Sequence, residues 1–564
     1  MMKTLSSFLI LLLFVAQTSS LAAKRPVRAK HGMVVSADAY ASNVGVQILK
    51  KGGNAVDAAV AVGFALAVTF PGAGNIGGGG FMVIRMADGR TTTFDYREKA
   101  PAAANSTMFL DEKGNFVPSR SQDGYLACGV PGSVAGMLMA LERYGKLDRK
   151  TVLQPAVDFA AKGFRLSHEF ADELKADMRD ILKYPSSSRA FTKEGKPYDE
   201  GDLFVQKDLA RTLQRIQKKG KDGFYQGTTA DLIVAEMKRG AGLITKDDLA
   251  SYSAVERPPI RGTYRGYEIV SMGPPSSGGM VLMEMLNLLE PFDIAGSGFG
   301  SSKTIGLMTE AMKLAYADRA EFMGDADFYP VPVDRLISKD YAAERRVLLD
   351  SSKATPSRLL GHGAIEIKEG MHTTHYSIVD QWGNAVSVTT TINSWYGNKI
   401  VVDGAGFFLN NEMDDFAAKP GAPNQFGLLG GSANSVQPNK RMLSAMTPTI
   451  VLKDGQPYLI VGSPGGSTII TSVLQVVLNV LDHRMNVAEA NEAPRFHHQW
   501  MPDTIQCERF GFPKDVIQNL EARGYAIRPR GGTLGRIEAI QIDRKNGFLF
   551  GATDPRGYGA AVGY

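Results

Sequence analysis

Two helical patterns open the first third of the chain. Asp38 to Lys51 repeats apolar positions at helical spacing, and Asn54 to Val68 is apolar almost all round, so the second helix is expected to lie buried. A glycine-rich stretch, Pro71 to Gly80, then leads into Phe81-Met-Val-Ile-Arg-Met86, a turn at Ala87 to Arg90 and the run Thr91 to Arg97. Two extended runs around a short polar turn predict a β-hairpin. From about residue 131 to 350, amphipathic helical patterns dominate, among them Val134 to Tyr144, Asp208 to Lys219 and Lys303 to Met323. The last third returns to strands: Met371 to Asp380 and Ala385 to Asn393 flank the polar turn Asp380-Gln-Trp-Gly-Asn384, and one long apolar helix is expected over Ser467 to Leu481. Strands toward both ends, with helices between and after them, predict a layered α/β protein. There is no internal repeat, low-complexity tract or long linker.

Composition narrows the class. The chain has 564 residues, of which 44% are hydrophobic and 21% charged, which describes a globular protein with ample core. Its net charge of +5 is spread along the sequence without a basic block, which argues against nucleic-acid binding. At the N-terminus, Phe8 to Ala16 is apolar and Gln17 to Ala23 is rich in small residues, the pattern of an export signal cut near Ala22. The run is short for a membrane anchor. Lys24, Arg25, Arg28 and Lys30 follow it while Lys3 alone precedes it, an unhelpful charge balance for export. The expected location is periplasmic or secreted. The two cysteines, Cys128 and Cys507, form no disulfide framework, and Cys128 reads best as a buried free thiol, although one bridge stays open.

Several short motifs carry possible chemistry. Gly72-Ala-Gly-Asn-Ile-Gly77 formally matches a dinucleotide fingerprint, but it follows a helix and opens a hairpin, the reverse of the order such a site needs. The glycines read as permitting close backbone packing. His372 with His375, and His497 with His498, have no metal-ligand spacing, because neighbours along a strand point to opposite faces. No metal is expected. Thr373 lies in a β-branched run that pattern alone makes a strand. A threonine hydroxyl becomes a useful nucleophile when a base sits beside it, and a free α-amine on the same residue is such a base.

In order and spacing, the tracts Met371-His-Thr-Thr-His-Tyr376, Ala385 to Asn393, Asn410-Asn-Glu-Met-Asp-Asp415, Lys440 to Pro448 and Gly462-Ser-Pro-Gly-Gly-Ser467 closely resemble the gamma-glutamyltranspeptidases, nearly end to end. The resemblance implies the four-layer αββα sandwich of the N-terminal-nucleophile hydrolases. It also implies a precursor that cuts itself between His372 and Thr373, so that a signal peptide (1–22), a large subunit (23–372) and a small catalytic subunit (373–564) are expected. The implied activity is cleavage of the gamma-glutamyl bond of glutathione and related compounds, with transfer to water or to an amino acid or peptide acceptor, and no cofactor. By the same resemblance Thr373 is the nucleophile, Thr391 orients it, and Gly465 and Gly466 form the oxyanion hole. Arg97 and Ser444 hold the donor carboxylate, while Asn393, Glu412 and Asp415 hold its ammonium group. Two positions depart from the family pattern. Ala445 stands where a second serine is common, and Phe426 where a gating tyrosine is typical of a lid loop. The alternatives are a related acylase acting on a beta-lactam side chain or on poly-gamma-glutamate, and a processed but non-catalytic peptide-binding protein.

Overall fold

A computed structural model describes residues 25–360 and 373–564. The expected export signal and His372 lie outside the described residues. Two antiparallel seven-stranded sheets form the centre. One runs, strand by strand, Ala560–Gly563, Met33–Ser36, Thr373–Val379, Ala385–Thr391, Gly79–Arg85, Thr91–Asp95 and Val255–Arg257. The other runs Val27–Ala29, Phe548–Thr553, Glu538–Asp543, Gln456–Val461, Thr449–Lys453, Tyr267–Ser271 and Ile260–Tyr264.

The layer order follows from alternation along the strands. Val83 and Val379 of the first sheet share a core with Ile450, Leu452, Ile460 and Ile540 of the second. Their sequence neighbours Met82, Ile84 and Ile378 instead pack into a second core with the helices Ala39–Lys50, Ala55–Thr69 and Ser133–Tyr144. On the far side Val451, Leu459 and Val461 meet the helices Gly278–Leu289, Ser302–Phe322 and Thr468–Leu481 in a third. Three cores between four layers make the αββα sandwich, and a strand buried on both faces has to be apolar or internally hydrogen-bonded at every position. The expected hairpin forms as Gly79–Arg85 with Thr91–Asp95, and the predicted helices end within a residue or so of their expected limits.

Caps lock the helical layer to the site sheet. Asn54 and Asp57 form a capping box at the start of Ala55–Thr69. The fully buried Asp57 carboxylate also accepts from the backbone N–H groups of Lys146 and Leu147, at 2.9 and 3.0 Å. One residue inside that helix start, Ala55 N–H donates at 2.8 Å to Asp380 in the turn between the Thr373 and Thr391 strands. Asp57→Ala leaves the N–H groups of Asn54, Lys146 and Leu147 without this acceptor, so urea unfolding is expected to show a loss of roughly 2 to 4 kcal/mol. A loss below about 0.5 kcal/mol, the level of an ordinary surface change, would mean that water replaces the carboxylate.

Candidate active site

The antiparallel register sets Thr373 opposite Thr391. Side chains alternate along a strand, so Thr373, His375 and Ser377 share a face with Val379, which lies in the inter-sheet core. Thr373 is buried, and its hydroxyl donates to Thr391 Oγ1 at 3.2 Å. Thr391 Oγ1 also accepts from the backbone N–H of Asn393 at 2.8 Å, a residue held at a φ of 71°. Asn393 in turn donates from its side chain to Asn411 O at 2.9 Å, which links the strand end to the acidic turn Glu412–Asp415.

The glycine tract serves close packing. A Cβ at Gly78 would lie 2.1 Å from Thr391 O, so this backbone can pass beneath Thr391 only as glycine. Asn75, in the same tract, donates to Thr391 O at 2.9 Å and accepts from Gly78 N–H and the Ser133 hydroxyl. Sequence reading passed over Asn75, because a lone asparagine among glycines reads as a turn residue.

Arg97 is fully buried. Its two terminal nitrogens pair with Glu412 and Asp415, its Nε donates to Met442 O at 3.2 Å, and Glu98 lies 3.6 Å away. Sequence reading assigned Arg97 to the anionic end of a substrate and the acids to its cationic end, and the structure joins them in one cluster. Burial disfavours the charged guanidinium, but Glu412, Asp415 and Glu98 outweigh it and raise the arginine's hold on its proton. Three carboxyls on one such cation cannot all ionise in a dry site. Burial pushes Glu98 up to about 7 and Glu412 well above the carboxylate range, with Arg97 opposing both. Neither oxygen of Glu98, nor Oε2 of Glu412, has a hydrogen-bond partner among the described residues.

Asn434, also missed from sequence, ties this cluster to the next segment. It donates to Asp415 O at 2.7 Å and accepts from Leu443 N–H at 3.0 Å. Ser444 O accepts from both the N–H and the hydroxyl of Ser277, at 2.8 and 2.7 Å, and Arg319 Nε donates to that hydroxyl at 2.9 Å. Ser444 Oγ accepts from Met446 N–H at 3.2 Å, while buried Ala445 offers no hydroxyl.

Gly465 and Gly466 have φ values of 136° and 54° and lie just before the helix Thr468–Leu481. Neither N–H has an acceptor among the described residues. Gly462 packs against the His375 ring, which sets this loop against the face that carries Thr373. Phe426 covers Gly466 so closely that a Cβ there would meet its ring at 2.5 Å. Its loop is tied down by Asn424 donating to Asp415 at 2.9 Å and by Gln499 donating to Phe426 O at 3.2 Å.

The remaining candidates are internal. His375 bonds Thr389 and Ser377, and burial pushes it down to about 3, so it stays neutral. His497 bonds Thr471 and Gln499, and His498 lies beside Asp503. Cys128 and Cys507 are both buried and free.

A buried pair of threonine hydroxyls, two glycine N–H groups without an acceptor among the described residues and a buried arginine–carboxylate cluster are the kinds of groups that an acyl-transfer site for an amino-acid substrate uses. The profile of the Gamma-glutamyltranspeptidase family matches residues 41–564. The chain belongs to this family. Among relatives of this transpeptidase-family chain, the Glutathione hydrolase proenzyme of Escherichia coli (strain K12) is 52% identical over 532 residues, covering 94% of this chain and 91% of that protein. The gamma-glutamyltranspeptidase structure from Helicobacter pylori is 48% identical, with a TM-score of 0.57 over 62% of this chain and 99% of that one. A cephalosporin acylase structure from Bacillus halodurans is 28% identical, with a TM-score of 0.84 over 97% of this chain and 98% of that one.

The clamp has a pH signature. Glu98, ordinarily ionised above about 4.5, keeps its proton in the folded protein up to about 7. The native state then binds more protons than the unfolded chain between those values, so stability falls as pH rises through that window. Glu98→Gln removes this contribution, and its melting temperature is expected to fall less than that of the wild type from about pH 5 to about pH 8. Equal slopes would mean that Glu98 ionises normally.

Proposed function

We propose that this transpeptidase-family chain is an exported precursor that cuts itself between His372 and Thr373. The product is then a glutathione hydrolase and gamma-glutamyl transferase. The observation that carries the reading is the Thr373–Thr391 hydroxyl pair, together with the glycine N–H groups at 465 and 466 and the arginine–carboxylate cluster. In maturation the Thr373 hydroxyl attacks the carbonyl of His372, the peptide becomes an ester, and water separates the chains. In turnover the freed α-amine, with an ordinary pKa of about 7.7 to 8.0, takes the hydroxyl proton near neutral pH. The hydroxyl attacks the gamma-carbonyl, the N–H groups of Gly465 and Gly466 stabilise the oxyanion, and the leaving amine takes the proton. Water or an acceptor amine then resolves the gamma-glutamyl ester.

Donor binding in this reading is an exchange of ion pairs. The donor's α-carboxylate takes Arg97, with Ser444 and the backbone at Ala445 beside it. Its ammonium takes Glu412 and Asp415, with Asn393. No net charge enters the pocket, which suits a site of low dielectric. The related-acylase alternative shares the nucleophile and has structural kin in the cephalosporin acylase, and a clamp for a free amino-acid centre favours the glutamyl donor over it. A processed but non-catalytic binding protein would have no use for the hydroxyl pair. No helix of the described residues is long and apolar enough to cross a membrane.

The deciding experiment is Thr373→Ala. It is expected to yield one uncut chain that releases no p-nitroaniline from a gamma-glutamyl anilide. The wild type is expected to give two chains, the smaller beginning Thr-Thr-His-Tyr; any other terminus would refute the cut. Ala445→Ser tests the clamp. The added hydroxyl is worth roughly 1.5 to 3 kcal/mol if aligned on the carboxylate. The gain is expected in donor KM rather than kcat, because the carboxylate is equally charged in ground and transition states. An unchanged or higher KM would mean a pocket reshaped for another donor.

A further inference from the structure

A basic groove of about 830 Å³ lies where the strand ends of the second sheet meet its edge. Arg25 and Arg28 line it from the edge strand Val27–Ala29 and the residues before it, Lys453 from the end of Thr449–Lys453, and Arg544 and Lys545 from the turn after Glu538–Asp543. Against these five cations stand two carboxylates, Asp454 and Asp543, which leaves a surplus of three positive charges. The groove is remote from Thr373. In the turn after Lys453, Gly455 O accepts from Arg85 at 2.6 Å, and Arg85 stands opposite Ala385, at the other end of the strand that carries Thr391. A strand of that length spans about 20 Å.

The groove cations are held in place without being neutralised. Elsewhere the protein pairs its arginines closely, Arg257 with Asp95 and Asp327, Arg265 with Asp482 and Arg556 with Glu508. None of the five groove cations comes within 4.0 Å of a carboxylate oxygen among the described residues. Three of them nevertheless have a fixed partner. Arg28 lies over the Phe548 ring, 3.4 Å from its centroid, Lys453 lies 5.5 Å from the centroid of Tyr267, and Arg544 donates to Gln456 Oε1 at 2.9 Å. These neutral partners set the side chains and leave their net charge unmatched. Of the two acids, Asp543 is committed to Asn546, accepting from its backbone N–H at 3.2 Å and from its side chain at 2.7 Å. Like charges gathered around one concave wall concentrate their field, and an anion that enters relieves their repulsion.

We infer that this groove is a binding site for a multiply charged oxyanion of the phosphate class. A phosphate monoester carries about −1.5 to −2 at neutral pH, so two phosphate groups match the surplus of three, whereas a carboxylate ligand would need three separate groups. The guanidinium forks of Arg25, Arg28 and Arg544 suit oxyanions, and the two lysines add point charges. A concave site of this size encloses a compact ligand, while a flat bilayer would meet only its rim. The ligand is therefore a compact anion, either free or carried as the head group of a lipid.

The test uses the full-length chain. Calorimetric titration with sodium tripolyphosphate at physiological ionic strength is expected to show one site per chain, weakening as salt is raised. Each neutralised cation is expected to weaken binding about fivefold, so Lys453→Gln, Arg544→Gln and Lys545→Gln combined weaken it about a hundredfold. A control chain with Lys218→Gln, Lys219→Gln and Lys238→Gln loses the same charge from the helices Lys207–Lys219 and Gly227–Arg239 and should bind like the wild type. All six residues are exposed, so both triple variants are expected to keep the wild-type melting temperature without ligand. A second arm pellets the protein with phosphatidylcholine vesicles that do or do not contain phosphatidic acid. Pelleting only with phosphatidic acid, lost in the groove variant, assigns the anion to a lipid head group; tripolyphosphate binding without pelleting assigns it to a free anion. No binding in either arm, or equal losses in the two triple variants, would overturn the site. Neither arm depends on turnover, so the result is separate from the activity proposed above.

Discussion

Everything in the site depends on the register of one strand pair. Thr373 stands opposite Thr391, and the pairing continues one to one as far as Val379 opposite Ala385. A slip of one residue would turn the Thr373 hydroxyl from the inter-sheet face toward the helical layer and send Tyr376 and Ile378 the other way. Such a slip is blocked at several points. Tyr376 and Ile378 are fitted into the helical core, the Asp380 turn is tied to a helix start, and the Gly78 backbone passes too close to Thr391 for any other placement. Stability of the sandwich and placement of the Thr373 hydroxyl are in this respect the same physical fact.

The inter-sheet face is where polarity becomes costly, and the fold meets the cost with hydrogen bonds. His375, Ser377 and Thr389 satisfy one another or nearby backbone groups, which allows a strand buried on both faces to carry polar residues. The N–H groups of Gly465 and Gly466 and the outer oxygen of Glu412 have no acceptor or donor among the described residues. Groups left unpaired in a buried setting are expensive. The arginine cluster follows the same logic, with buried Arg97 neutralised by Glu412 and Asp415.

Much of this was legible along the chain. The helix over Asn54 to Val68, the hairpin after the glycine tract and the helix after Gly466 all show in local periodicity, because their apolar faces are set by a single element against a core. The motif residues stood out through their order and spacing. What stayed hidden were partners joined across hundreds of positions. Asn75 beneath Thr391, Asn434 between Asp415 and Leu443, and Glu98 beside Arg97 have no local signature, since an asparagine or a glutamate reads alike whether it faces water or a buried backbone group. The burial of Glu412 and Asp415 was hidden for the same reason.

The sequence by itself determined the α/β layering and the family, because these follow from periodicity and from residue types at particular spacings. Tertiary structure alone decided how charge is arranged. That Arg97 is clamped by Glu412 and Asp415 and that Phe426 closes over Gly466 are outcomes of packing between distant segments. The physical reason is range. Backbone preference and amphipathic period act over a few residues and can be read in order, whereas an ion pair or a close contact depends on which surfaces the folded layers bring together.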